Sequence, residues 1–187
     1  SYSVVVLEDA EVSSHTHDGA FAIGGRLIDK TPDQSATVDG HSYIGTLQTP
    51  QRFLFSAGIT TGHSHFPFDW SEFERIARVA SPTDRLAHHQ VHVRCTGGLV
   101  TMRDISSTAG RSGWNLLVVF NTDEPVSIGG DADGRPFAGS VFAPFSHVIV
   151  LPSARYIDGF VVAKSLSMTR NGGSLQVHAH FFSGSLQ

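Results

Sequence analysis

The sequence predicts a mainly β protein, a right-handed β-solenoid of roughly 20-residue coils with one amphipathic α-helix packed alongside. The first observation is an internal repeat: Ala138–Ala143 (AGSVFA) recurs as Asp158–Ala163 (DGFVVA), about 20 residues later. Asp18–Ile23 near the N-terminus has the same form, and Asp39–Ile44 is a looser copy. A repeat of this length is typical of one solenoid coil, which buries its apolar face only by stacking on the next coil.

The second observation is the Asp-Gly pair that opens most copies of the repeat, at Asp18-Gly19, Asp39-Gly40 and Asp158-Gly159. Asp and Gly are turn residues, and Gly adopts positive φ at no steric cost, so each pair predicts a corner of a coil. The same signal is typical of hairpins in an ordinary β-sandwich, which is the alternative fold. The regular period favours the solenoid.

The N-terminal part of the chain contains short apolar runs separated by turn residues. Residues 2–7 predict a buried strand, and Ala20–Ile23, Ile44–Leu47 and Phe53–Phe55 are further strand candidates. Residues 29–42 are polar and rich in turn residues, which predicts an exposed excursion between strands.

The third observation is a change of periodicity, which predicts a helix over about 69–81. Asp69 is followed three residues later by Glu72, the spacing of a capping box, and Ser81-Pro82 is a stop signal. Apolar residues then recur at helical spacing: Trp70, Phe73, Ile76, Ala77 and Ala80. We expect this stripe to pack against the stacked sheets, because an amphipathic helix must bury its apolar face.

The C-terminal part reads mainly as strands. Val91–Arg94 and Leu99–Met102 flank Thr96-Gly97-Gly98 and predict a hairpin. Trp114–Phe120 is the most hydrophobic stretch and predicts a central strand that is buried on both sides. Leu175–Phe182 alternates and predicts a final strand.

Length and composition limit the classes of function. At 187 residues and 20.1 kDa the chain predicts a single domain, 1–187. A net charge of −4 leaves no basic stripe for nucleic acid, and no apolar run approaches the ~20 residues of a membrane span. Cys95 is the one cysteine, so the fold has no internal disulfide and depends on its core.

Taken in order, several segments resemble the bacterial choice-of-anchor A domain family. They are Asp18–Gly25, the helix entry Phe68–Trp70, Asn115–Asn121, Gly139–Pro144, Ile157–Ser165 and Gln176–Phe182. The resemblance covers nearly the whole chain, and its architecture is similar to that of ice-binding β-solenoids. It implies a secreted domain at the cell surface with a non-enzymatic structural or adhesive role, and it supplies no catalytic residues.

Alternatives within that class are a self-assembling lattice, shell or filament subunit and an ice- or ligand-binding solenoid. Repeated Thr or Ala would favour ice binding, whereas these repeats carry Phe, Val and Ser. Self-association would make the partner a second copy or a surface polymer, because a solenoid exposes strand edges at its ends. Candidate contact residues for such assembly are Phe66, Phe68, Val177, Phe181 and Phe182.

The eleven histidines raise an enzyme alternative, a histidine-metal hydrolase. In a His-x-His pair on a strand both imidazoles face one side and could hold a divalent metal. The candidate ligands are His63, His65, His178 and His180. No HExxH helix or cysteine pair accompanies them, so the prediction is that the chain has no catalytic residues and no cofactor.

Overall fold

The computed structural model describes residues 1–13, 16–30, 35–48, 52–80, 85–86, 89–94, 98–101, 116–130, 136–168 and 175–179. The fold is mainly β and consists of stacked parallel coils, a β-solenoid of about 6 turns. This confirms the predicted fold class. In the described part of the chain, one α-helix lies beside the coils, and no helix is both long and apolar enough to cross a membrane.

Most of the strands are short, because each of these forms one side of a coil. Before the helix they are β1 (Tyr2–Val6), β2 (Ala10–Val12), β3 (Thr16–His17), β4 (Ala20–Asp29), β5 (Ala36–Val38), β6 (Ser42–Leu47), β7 (Phe53–Phe55) and β8 (Ile59–Thr61). Helix α1 is Trp70–Val79. After it come β9 (Arg85–Leu86), β10 (His89–Arg94), β11 (Gly98–Thr101), β12 (Leu116–Phe120), β13 (Val126–Gly129), β14 (Ser140–Val150), β15 (Tyr156–Asp158), β16 (Val161–Met168) and β17 (Gln176–His178).

Each coil has three sides. Sides one and two belong to a 12-stranded sheet: β1 and β2 are successive sides of one coil, and the long strands β4, β14 and β16 bend across both. Side three is formed by two smaller sheets, β15–β17 and β3–β5–β7. The interior between the sides is filled by apolar side chains, and the largest fully buried ones include Phe21, Phe120 and Phe137.

The predicted repeats are neighbouring rungs. Val141, Phe142 and Ala143 pair in parallel with Val161, Val162 and Ala163. A Cβ on Gly159 would collide with the carbonyl oxygen of Gly139 on the coil below, so this corner requires glycine for a close approach rather than for its φ.

The order of the strands in the large sheet does not follow their order in the chain. In the large sheet β1 lies between β4 and β16, so the coils run outward from β1 to β8, and the chain then returns from β10 to β16. The C-terminal strand β17 pairs with β15 on side three, and Asp18 N–H donates to the carbonyl of Val177 at 3.1 Å. One coil, which we call the composite coil, is therefore built from both ends of the chain: β17, β1 and β2.

Helix α1 covers the outer surface of side one. The Asp69 carboxylate accepts hydrogen bonds from Ser71 N (3.1 Å) and Ser71 Oγ (2.7 Å), which caps the helix where the sequence predicts it. Trp70 Nε1–H donates to the carbonyl of Pro144 at 3.2 Å. The apolar stripe packs on the outward-facing residues of side one: Val5, Ala22, Leu117, Val119, Phe142 and Val162.

Three local expectations need correction. The hairpin around Thr96-Gly97-Gly98 is wrong, because β10 and β11 each pair in parallel with the next coil, β10 with β12 and β11 with β13. The 29–42 segment is not wholly an exposed excursion, because Ala36 and Val38 are buried in β5. Glu72 does not complete a capping box with its side chain but forms an ion pair with Arg75 at 2.6 Å.

The prediction of a buried central strand is confirmed by β12, in which every residue is buried.

Candidate functional site: a polar groove on side two

The outer surface of side two carries polar side chains in line from coil to coil. His147 is in register with Ser165, and Arg26 is in register with Thr46. Asp9 lies between them, because Leu166, Ala10 and Leu27 are consecutive partners and their preceding residues share the outward face. Because these side chains point to the same face and the coils are stacked in register, residues that are far apart in the chain form one row.

A groove of about 280 Å³ lies along this row, where the composite coil meets the coil of β16. Its lining combines carboxylates, hydroxyls and an imidazole, and consists of Glu8, Asp9, Glu11, His147, Ser165, Leu166 and Ser167. A groove of this size is suited to a small polar group rather than to a drug-sized apolar ligand.

His147 and Ser165 form the hydrogen-bonded pair of the groove, with 2.7 Å between Nδ1 of His147 and Oγ of Ser165. Both side chains are half-buried. The bond fixes the orientation of the imidazole and leaves its Nε2 as a second donor or acceptor.

Each carboxylate of the groove has a basic partner on a neighbouring coil. Asp9 accepts hydrogen bonds from the guanidinium of Arg26 at 2.6 and 2.9 Å and from its backbone N–H at 2.7 Å. Glu11 lies 3.0 Å from Lys30 Nζ, and Glu8 lies 3.7 Å from Lys164 Nζ. The hydrogen bonds from Arg26 lower the pKa of the Asp9 carboxyl. The groove is therefore strongly hydrogen-bonding but nearly neutral in total charge.

The same ion pairs connect the composite coil to the coils on both of its sides. Lys164 lies on the β16 side of this coil, and Arg26 and Lys30 lie on the β4 side. Beneath them, buried Ser13 donates its hydroxyl to the carbonyl of Met168 at 3.0 Å. The groove is thus lined by groups whose partners lie across both junctions of the composite coil.

The structure does not bring the candidate metal ligands together. His63 donates Nδ1–H to the carbonyl of Gly24 at 2.6 Å, and His65 is exposed in the same 3₁₀ turn, His63–His65. His178 bonds Gln176 at 3.0 Å and stacks on Tyr156, whereas His180 lies outside the described residues. Over the described ranges, no group of three or more His, Cys, Asp or Glu side chains is arranged to hold a metal.

The candidate self-association residues are in several environments. Phe66 and Phe68 pack beside α1 and contact each other with ring centroids 5.9 Å apart. Val177 is fully buried in the core, and Phe181 and Phe182 lie outside the described residues. None of the three described side chains is a freely exposed contact surface.

Sequence reasoning did not identify the groove. Its one available signal is spacing, because His147 and Ser165 are 18 residues apart and Asp9 and Arg26 are 17 apart, close to one coil. That signal does not place Asp9 beside Ser165, since these residues come from opposite ends of the chain. Comparisons with protein-family models, curated proteins and solved structures find no match to this chain.

Proposed function

We propose that this chain is a non-enzymatic structural or adhesive domain that works outside the cell and binds a neutral, hydroxyl-rich ligand, such as a carbohydrate, in the side-two groove. The resemblance of its segments to the choice-of-anchor A family supports the extracellular, surface role. The groove supports adhesion as the way in which the domain acts.

The charge balance of the groove is the observation that carries the proposal. Three carboxylates with cationic partners at 2.6, 3.0 and 3.7 Å can accept hydrogen bonds from hydroxyl groups without presenting a net negative charge. A free cation would have to compete with Arg26, Lys30 and Lys164 for these oxygens. A neutral polyol gains hydrogen bonds at no such cost.

The remaining lining groups complete this chemistry. The hydroxyls of Ser165 and Ser167 both donate and accept, and His147 presents a second ring nitrogen. Because parallel coils fix the backbone beneath all of them, little ordering entropy is lost on binding. This preorganisation favours recognition by hydrogen bonds.

The test is binding of purified protein to an array of neutral oligosaccharides, followed by calorimetry with the best ligand. We expect His147→Ala to weaken binding at least tenfold, because truncating a hydrogen-bonding group in a site of this kind costs about 1.5 kcal/mol. Ser127→Ala is the matched control, since Ser127 faces outward on side two but lies outside the groove lining. Equal affinities of the two variants would reject the groove as the binding site. Mass spectrometry of the recovered ligand should show it intact, and cleavage products would overturn the non-enzymatic assignment.

A second candidate function is a self-assembling subunit with a second copy as partner. β7 and β8 are the outermost strands at one end, and each pairs on one edge only within the described residues. Leu54 of β7 is 60% exposed there. Unpaired edges with exposed apolar residues favour strand pairing between copies.

Light scattering tests this second function. Assemblies of the native protein should dissociate in Leu54→Lys and persist in Val79→Lys, because Val79 is similarly exposed (53%) but lies on α1. A native protein that stays monomeric at high concentration would reject it.

A further inference from the structure

His17 is a buried polar side chain with no polar partner among the residues that the structure describes. It is 0% exposed, and neither Nδ1 nor Nε2 forms a hydrogen bond to any of them. The ring packs edge-on against Phe21, with 4.8 Å between the centroids. A neutral imidazole is tolerated in such a site at some cost, whereas an imidazolium would be a buried, unpaired charge.

His17 lies next to the strand that closes the composite coil. It belongs to β3, which contacts β17 on one edge and pairs with β5 on the other. β17 has three residues. Among the described residues, two backbone hydrogen bonds join this part of the chain to the N-terminal coils, Asp18 N–H to Val177 O (3.1 Å) and Leu175 N–H to Ser13 O (3.2 Å). Separation of this strand from β3 would break these hydrogen bonds and expose the buried Val177.

The charged groups around His17 do not favour a positive charge. On β17 the titratable neighbour is His178, whose charge when protonated repels a second cation. Asp18 follows His17 in the chain, and Asp39 lies at the corner after β5, where its backbone N–H donates to the His17 carbonyl at 3.1 Å. Neither carboxylate bonds the imidazole. Burial, reinforced by His178, lowers the pKa of His17 to about 3.

We propose that His17 is an acid-sensitive switch whose protonation releases β17 and opens the composite coil. In the closed coil the buried imidazole stays neutral. In the open coil it is exposed to water and has an ordinary pKa near 6.5. Protons therefore bind the open form preferentially, and acidification shifts the population toward it. The open fraction rises about tenfold for each pH unit below 6.5.

Hydrogen exchange followed by mass spectrometry tests the switch, with each rate corrected for the intrinsic effect of pH. In the native protein, protection of β17 and β3 should fall about a hundredfold between neutral pH and pH 4.5, and β12 should keep its protection. His17→Leu removes the titrating group from an apolar site and should keep β17 protected at both pH values. Loss of protection in His17→Leu equal to that of the native protein would overturn the proposal.

His178→Gln is the matched control, because it removes the neighbouring imidazole while leaving His17 in place. It should keep most of the pH dependence, and a protein made insensitive to pH by this change alone would also overturn the proposal. If His17→Leu does not fold, proton NMR of the native protein decides the matter. The His17 resonance should stay neutral in the closed form down to pH 4.5, and its titration near pH 6.5 without exchange at β17 would contradict the switch.

Discussion

Val4 pairs in parallel register with Val161, so the first strand of the chain lies against a strand near its end. On its other edge the same strand pairs with β4, with Val4 beside Phe21. The composite coil in the middle of the solenoid is thus formed by strands from the N-terminal and C-terminal parts of the chain, and β17 supplies its third side. The stability of the composite coil should therefore depend on residues that are remote in sequence.

Val177→Ala tests this dependence. Val177 is fully buried in β17, and its truncation should lower the free energy of unfolding by about 2 kcal/mol, the usual size of a small cavity effect. Leu54→Ala is the control, because Leu54 is 60% exposed and should change stability little. Urea denaturation measures both, and a Val177 variant as stable as the control would mean that β17 is not part of the core.

Gly159→Ala tests the close approach of the repeats. The new Cβ would meet the backbone carbonyl of Gly139, which cannot move without displacing a strand, so we expect a loss of about 3 kcal/mol. Gly139→Ala should cost less, because its Cβ would meet the flexible end of the Leu116 side chain at 2.9 Å. Thermal denaturation of both variants would contradict the stacking if their order were reversed.

Asp69→Ala removes the N-cap of α1. The carboxylate satisfies the Ser71 N–H, so its loss should lower the free energy of unfolding by about 1 kcal/mol. Ser71→Ala keeps the backbone bond and should cost less. Circular dichroism at several urea concentrations compares the variants, and equal losses would assign the effect to the hydroxyl rather than to the cap.

The Asp9–Arg26 pair should make stability depend on pH in the acid range. Because the folded protein holds the pKa of Asp9 below its ordinary value, the contribution is present above about pH 3.9 and is lost as the pH falls through the lowered pKa. The pair is partly exposed, so the effect should be small. Asp9→Asn should flatten this part of the melting temperature profile, and an unchanged profile would contradict the pairing.

The sequence predicts those features of the fold that have a local signal. The repeat at Gly139 and Gly159 predicts the coils, and the spacing from Trp70 to Ala80 predicts the helix. The hairpin prediction around Thr96-Gly97-Gly98 is wrong because two strand-like runs separated by a few turn-forming residues occur in hairpins and in solenoids alike. What separates the two is the partner of each strand, which local sequence does not state.

The candidate site escapes prediction for a related reason. Asp9 and Ser165 share a groove only because β1 and β2 insert beside β16. The valine-rich sequence of β1 does not indicate which strand it pairs with. The histidines illustrate the reverse error. A His-x-His spacing suggests metal ligands. His63 instead forms a hydrogen bond to the carbonyl of Gly24, which connects the segment between β8 and α1 to the coils.

The position of the chain ends has a mechanical consequence. A Cβ placed on Gly19 would lie 3.1 Å from both Ser3 Cβ and Ala179 Cβ, so these two residues, near the first and last residues that the structure describes, lie at one shared corner. Tension applied between these two residues would act first on the composite coil. The coils on either side of it do not lie between the two points at which the force is applied. Stretching in an optical trap should then begin with a single short extension at mid-length, before either flank unravels.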